Sequence, residues 1–129
     1  MGVKEYNWWS EANHGIQYDG SVKVTQFPQV IGIASSFNMS AVKEFARVAS
    51  IEGRALANNG LYGLTYFAPN INIFRDPRWG RGGETPGECT TLTSLYAQAF
   101  VEGFQEGDDP KCLRAAATCK HAFAYSLGM

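Results

Sequence analysis

Apolar positions along the chain fall into two alternating patterns, which are short continuous runs and longer stretches with helical spacing. The continuous runs at residues 29–34, 64–68 and 113–119 are closed by serine, proline or Lys-His, and they predict three buried strands. Residues 37–60 and 90–107 repeat apolar side chains every three or four positions, which predicts two amphipathic helices.

Both predicted helices carry capping residues at their ends. Asn38 or Ser40 can cap the first helix, and the Asn59-Gly60 pair supplies a left-handed stop. Thr90 or Thr91 can cap the second helix. These signals predict where each helix begins and ends.

The order of the elements predicts an α/β fold with parallel strands. Strands alternate with helices, and parallel strands that are buried on both faces carry continuous apolar runs of this kind. A (β/α)8 barrel of the TIM type needs about 250 residues. The 129 residues therefore predict one domain over residues 1–129, which is either a partial barrel, roughly its first half, or a small open α/β sheet.

The amino-acid composition of the chain limits the classes of partner and cofactor that it is expected to bind. The chain has 11 Lys and Arg against 12 Asp and Glu, a net charge of −1, so its charge predicts neither nucleic acid nor a membrane surface as a partner. A hydrophobic fraction of 45% is typical of a globular chain, and no apolar stretch is long enough to span a bilayer. Three cysteines and two distant histidines match no metal-binding spacing, so we predict no metal and no cofactor, and a Cys89–Cys112 pair is left open.

The side chains that can do chemistry gather in one charged loop and at the ends of strands. The loop at residues 70–88 mixes three arginines with glycines and prolines, and it follows the second predicted strand. Lys120 and His121 follow the third strand, and Glu11 follows an aromatic opening at residues 6–9 that we interpret as the remnant of an earlier strand. Because parallel α/β folds collect ligand-binding groups at the carboxyl ends of their strands, we predict one common cavity that suits a neutral polyol.

Each of these features also has a structural interpretation. Trp8 and Trp9 offer flat faces to sugar C–H bonds, but a tryptophan-rich segment more often lies in a core. The charged residues 75–78 can form a local ion-pair network in the loop. Glu84 and Glu88 precede a predicted helix, where the helix dipole favours carboxylates, so a structural role is predicted for both.

Four stretches, YNWWSEANHG, FPQVIGIASSF, YFAPNINIFRDPRWGRGGETPGE and AAATCKHAFAYSL, together resemble the N-terminal domain of glycoside hydrolase family 3. They are long, occur in the family's order and extend over residues 6–127. Their sequences are most similar to those of β-xylosidases, including members that also cleave arabinofuranosides. The resemblance implies an incomplete (β/α)8 barrel from an enzyme that hydrolyses β-linked sugars at non-reducing ends with retention of configuration.

The resemblance also implies substrate-binding roles for polar residues. Arg81, the last residue of PRWGR, matches the family arginine that hydrogen-bonds sugar hydroxyls. Lys120 and His121 match the Lys-His pair that holds adjacent hydroxyls. We therefore expect Arg81, Lys120, His121 and Glu11 to face one cavity at the mouth of a curled parallel sheet.

Three further positions bear on which sugar is bound. Glu11 matches the sugar-binding glutamate of xylosidase-like members, where glucosidase-like members carry an aspartate. The longer side chain would occupy the space that a hexose CH₂OH needs, which favours a pentose by steric exclusion. Trp9 would form a wall beside Glu11, and Phe67 lies where some xylosidases carry a tyrosine.

The chain departs from the family pattern at a few positions. Cys89 stands where the family usually has aspartate, and Asn13 stands where leucine is common. Phe123 follows KHA where the family usually reads KHF, which predicts altered packing behind His121.

The resemblance places both catalytic carboxyl groups outside this sequence. Retaining glycosidases need a nucleophile and an acid/base, and in this family the first lies on a later barrel strand and the second in another domain. We therefore predict no catalytic residue here and an inactive chain, while the parent enzyme, expected to be secreted because the family's substrates are polymeric, cleaves xylo-oligosaccharides. Two alternatives stay open, a non-catalytic carbohydrate-binding module and a small structural α/β domain.

Overall fold

The computed structural model describes residues 2–3 and 5–127, and within them it shows helices packed beside a small parallel sheet. The elements in chain order are α1 Val30–Ala34, α2 Met39–Asn58, β1 Thr65–Tyr66, a 3₁₀ turn at Gly82–Glu84, α3 Thr90–Gln105 and β2 Ala116–Ala117. None of the helices in this described part of the chain is both long and apolar enough to cross a membrane.

The longest element, α2, confirms the first predicted helix and its caps. The Asn38 side chain accepts a hydrogen bond from the backbone N–H of Ala41 at 3.0 Å, which satisfies one of the free N–H groups at the helix start. At the other end Gly60 has φ +69°, the left-handed conformation that glycine adopts without strain. The apolar stripe of α2, including Phe45 and Ala49, is buried in the core.

The second predicted helix is also confirmed, as α3, but its cap differs from the prediction. Cys89, rather than Thr90 or Thr91, caps the helix, since its Sγ accepts from the N–H of Leu92 at 3.5 Å. The helix packs closely against α2 at Gly103, where any side chain would collide with the backbone carbonyl of Lys43.

The predicted parallel pairing is confirmed, although both strands are shorter than predicted. Thr65 pairs with Ala116 and Tyr66 with Ala117. Beyond these strands the two segments stay side by side, because Lys120 donates its N–H to the Pro69 carbonyl at 3.0 Å. This extension brings Lys120 beside the start of the charged loop.

One predicted strand is wrong. The run at residues 29–34 forms the short helix α1, in which the N–H groups of Gly32 and Ile33 bond to the carbonyl of Gln29 at 2.9 and 3.1 Å. Its buried residues, Val30 and Ala34, are four positions apart and so share one helical face. A short apolar run does not separate a strand from a buried helical turn by periodicity alone.

Two smaller expectations also need correction. Residues 6–9, interpreted as the remnant of a strand, form no strand or helix in the structure. The sequence allows a Cys89–Cys112 disulfide, but in the structure all three cysteines are free and exposed. Among the described residues, no group of three His, Cys, Asp or Glu side chains is arranged to hold a metal ion.

Candidate functional site

A cavity of about 640 Å³ opens beside the charged loop and is lined mainly by polar side chains. We call it the main cavity, and its lining includes side chains from the opening segment, the charged loop and the segment after β2: Trp9, Glu11, Asn13, Arg81, Glu84 and Lys120. The opening segment, the charged loop and the exit of β2 therefore meet at one place.

Lys120 forms an ion pair with Glu11 at the base of this cavity. Its Nζ donates to Glu11 Oε2 at 2.7 Å and lies 4.0 Å from Glu84 Oε2, so one cation serves two carboxylates. Lys120 is only 8% exposed. A buried ammonium needs such partners, because an isolated charge in the interior is strongly unfavourable.

Arg81 and Glu84 form a second, bidentate ion pair across a single 3₁₀ turn. Arg81 Nε and Nη2 each donate to one oxygen of Glu84 at 2.6 Å. Residues i and i+3 lie above one another in a 3₁₀ turn, so the turn at Gly82–Glu84 returns the carboxylate to the guanidinium. A side chain at Gly82 would displace the Phe74 ring, which occupies the space that a Cβ would take.

The charge states of this pair are firmly set. The hydrogen bonds that Arg81 donates to Glu84 raise the pKa of Arg81 above its usual value. Burial acts to raise the pKa of the Glu84 carboxyl, but the hydrogen bonds and charge of Arg81, with the charge of Lys120, outweigh burial and hold it below its usual value. The bidentate pair occupies two of the five guanidinium N–H donors, which leaves three outside it.

Trp79 of the charged loop and Tyr125, near the end of the described chain, pack together beside Arg81. Trp79 is buried, and its ring packs edge-on against Tyr125 at 5.2 Å, while the Arg81 guanidinium lies 5.4 Å from the centre of the same Tyr125 ring. Asp76 and Arg78 pair with each other at 2.6 Å near the surface. For these two residues the structural interpretation, a local loop network, is the arrangement found.

His121 lies on a different side of Arg81 from the one expected. It lines a second, more open cavity of about 610 Å³ with Arg81 and residues 122–127, and it is not among the described residues lining the main cavity. The expectation that four side chains share one cavity is therefore corrected, because Lys120 turns toward Glu11 whereas His121 turns toward Asn72. Arg81 is the residue common to both cavities.

The protonation state of His121 follows from its neighbours. Its Nδ1 lies 3.0 Å from the Asn72 amide nitrogen, and an amide nitrogen only donates, so Nδ1 accepts and the neutral ring carries its proton on Nε2. Burial, followed by the charges of Arg81 and Lys120, lowers the pKa of His121 from its usual value. The ring is therefore a neutral Nε2–H donor near neutral pH.

The aromatic residues of the opening segment are exposed. Trp8 and Trp9 are 67% and 68% exposed, so the interpretation that they belong to the core is wrong for both. Trp9 lines the main cavity and packs against Phe67, with ring centres 6.3 Å apart. Phe67 is not itself among the described residues that line the cavity, and its contact with the cavity wall is the ring contact with Trp9.

Sequence reasoning undervalued two residues of the site. The sequence predicts a structural role for Glu84 before a helix, but Glu84 lies in the main cavity between Arg81 and Lys120. Its spacing of three residues from Arg81 is the signal that could have revealed the pair. Asn13, noted as a departure from the family pattern, donates its amide N–H to Glu84 Oε2 at 3.1 Å.

Comparison with known proteins places this arrangement in a family. The family model described as "Glycosyl hydrolase family 3 N terminal domain" matches residues 7–128. Beta-D-xylosidase 3 of Arabidopsis thaliana is 52% identical over 137 residues, and Beta-xylosidase/alpha-L-arabinofuranosidase 2 of Medicago sativa subsp. varia is 50% identical. Each alignment covers 98% of this chain and 18% of the relative.

Solved structures of similar proteins agree with the sequence comparison. A GH3 exo-β-xylosidase (XlnD) in complex with a xylobiose aziridine probe has a TM-score of 0.86 at 37% identity, covering 95% of this chain and 17% of that one. A β-glucosidase from Listeria innocua in complex with glucose has a TM-score of 0.69 at 32% identity, covering 88% and 15%. This chain thus spans less than a fifth of each of these four relatives, and it belongs to glycoside hydrolase family 3, in the region of that family's N-terminal domain.

Proposed function

We propose that this chain carries part of the sugar-binding site of a β-xylosidase-like glycoside hydrolase. The parent enzyme would release β-linked xylose, or a related sugar, from the non-reducing ends of xylo-oligosaccharides with retention of configuration. The observation that carries the proposal is the polar main cavity, in which Lys120 binds Glu11 and Arg81 binds Glu84. Relatives named as β-xylosidases support the choice of substrate.

The electrostatics of the main cavity suit a neutral sugar. Two cations face two carboxylates, so the four side chains together carry no net charge while presenting many donors and acceptors. A volume of about 640 Å³ is in the range of small-molecule sites. A polyol gains hydrogen bonds from such a wall without a cost for burying unpaired charge.

We infer that the sugar binds against Arg81, where the two cavities adjoin. The three guanidinium N–H groups outside the Glu84 pair can donate to neighbouring hydroxyls, and a planar guanidinium suits two acceptors at once. Lys120 would bind from the main cavity and the Nε2–H of His121 from the second cavity. Trp9, backed by Phe67, would pack against the C–H face of the ring.

Shortening one side chain should change which sugar is preferred. Glu11→Asp removes one methylene from the wall that we propose excludes a hexose CH₂OH, so the ratio of glucose to xylose affinity is expected to rise about tenfold. Isothermal titration with both sugars measures this ratio, and Glu52→Asp, at a carboxylate that accepts hydrogen bonds from Thr25 and does not line the main cavity, is the control. An unchanged ratio in Glu11→Asp would remove Glu11 as the residue that selects a pentose.

The chemical step would need groups from the rest of the parent enzyme. A retaining mechanism requires two carboxyl groups about 5–5.5 Å apart, one of which must be free to attack the sugar. Glu11 is held by Lys120 and Glu84 by Arg81, which fits binding roles for both. We propose that the nucleophile and the acid/base lie outside this chain, that the chain is part of a (β/α)8 barrel, and that the parent enzyme is secreted.

Two measurements test the proposal directly. Titration of the 129-residue chain with xylose should give a binding heat that Arg81→Ala abolishes and that Arg78→Ala, a change at an exposed arginine of the same loop, leaves intact. The same chain should not turn over an aryl β-xyloside. Binding without turnover supports the proposal, whereas turnover above a Glu11→Ala control, or no binding by the unaltered chain, contradicts it.

A further inference from the structure

Asn13 is a buried amide that lines the main cavity and contacts one of its ion pairs, at Glu84. The side chain is only 9% exposed, and its Nδ2 donates to Glu84 Oε2 at 3.1 Å. Its carbonyl oxygen, Oδ1, finds no hydrogen-bond partner among the described residues. Half of this amide is therefore satisfied and half is not.

A half-satisfied buried amide lowers the stability of a fold. An unpaired buried carbonyl oxygen loses its bonds to water without replacement, whereas an apolar side chain of similar size avoids that loss. Leucine is close to asparagine in shape and would remove the cost. The presence of asparagine at this position therefore calls for a benefit other than stability, and its one bond is made to Glu84.

The position of Glu84 shows what that bond can do. Its carboxylate lies between two cations, paired with Arg81 at 2.6 Å and with Lys120 Nζ at 4.0 Å. The terminal torsion of a glutamate is broad, so a small rotation would bring the carboxylate toward the lysine. The Asn13 N–H bonds to the same oxygen that faces Lys120, Oε2, and so opposes this rotation.

We propose that Asn13 is a positioning residue, which holds the Glu84 carboxylate on Arg81 and thereby fixes the guanidinium that binds sugar hydroxyls. Its described hydrogen bond is made to the Glu84 carboxylate and not to the guanidinium, so it acts on Arg81 through Glu84. The benefit to sugar binding rests on the function proposed above, whereas the positioning of Arg81 is a property of the unliganded chain. In this arrangement Lys120 remains paired with Glu11, so the Asn13 amide keeps the Lys120–Glu11 and Arg81–Glu84 ion pairs separate.

The test compares Asn13→Leu and Asn13→Asp with the unaltered 129-residue chain. Both variants keep the approximate shape of asparagine and lose the N–H donor. We expect hydrogen exchange at Arg81 Nε, followed by NMR, to become about tenfold faster in both, and xylose to bind about tenfold more weakly. We also expect the denaturation midpoint of Asn13→Leu to equal or exceed that of the unaltered chain, an outcome that a merely structural role would not produce.

Asn59→Leu, at the exposed C-terminal cap of α2, is the matched control and should leave Arg81 exchange unchanged. If Arg81 exchange is unchanged in both Asn13 variants, the proposal is overturned whether or not sugar binds. Faster exchange with undiminished xylose binding also overturns it. If the unaltered chain binds no xylose but exchange is faster in the variants, the positioning role stands and the proposed function fails.

Discussion

Replacing Lys120 by methionine is expected to abolish xylose binding and to lower the free energy of unfolding by about 3 kcal/mol. Lys120 is the buried cation that faces Glu11 at 2.7 Å and Glu84 at 4.0 Å. Methionine fills a similar volume but leaves Glu11 without its cation in a partly buried site. Urea denaturation measures the loss of stability, and isothermal titration measures the loss of binding.

Two further variants separate the charge effect from the loss of packing. Lys111→Met, at an exposed lysine of the preceding loop, should change neither quantity. Glu11→Gln combined with Lys120→Met removes the anion together with its cation, so it should recover most of the lost stability without recovering binding. If the double variant is as unstable as Lys120→Met alone, the ion pair is not the cause of the loss.

Phe100→Ala is expected to lower the free energy of unfolding by about 3–5 kcal/mol, because it leaves a cavity where α3 meets the core. The ring is fully buried and stacks on Phe104 with centres 5.3 Å apart, and it contacts Phe45 of α2 edge-on at 5.6 Å. The variant thus weakens the contact between the two long helices. Urea denaturation is again the measurement.

The pattern of effects should differ from that of the lysine variant. Leu95→Ala removes an aliphatic side chain from the exposed face of the same helix and should cost less than about 1 kcal/mol. Phe100→Ala should bind xylose with unchanged affinity under conditions where it remains folded, because Phe100 does not line either cavity. Equal losses of stability in Phe100→Ala and Leu95→Ala would contradict the described packing of α3.

The two long helices and their buried faces could be predicted because the residues that determine them lie within each helix or at its ends. The apolar spacing of α2 and α3 repeats over four or more turns, and Asn38 and Gly60 mark the ends of α2 by backbone chemistry that needs no distant partner. At residues 29–34 the same reasoning failed, because a six-residue apolar run fits either a strand or a helical turn until its neighbours are known.

The site likewise combines features that the sequence predicts with contacts that only the fold brings about. The sequence by itself determined the family, the two helices, the parallel pairing of the strands and the residue types from which the site is built. Only the tertiary structure decided that Lys120 turns to Glu11, which is 109 positions away along the chain, while the adjacent His121 turns into a separate cavity. It also decided that Glu84 and Asn13 stand among the ion pairs, because the energy of a buried charge depends on which groups the fold brings within a few ångströms, and spacing along the chain does not record that distance.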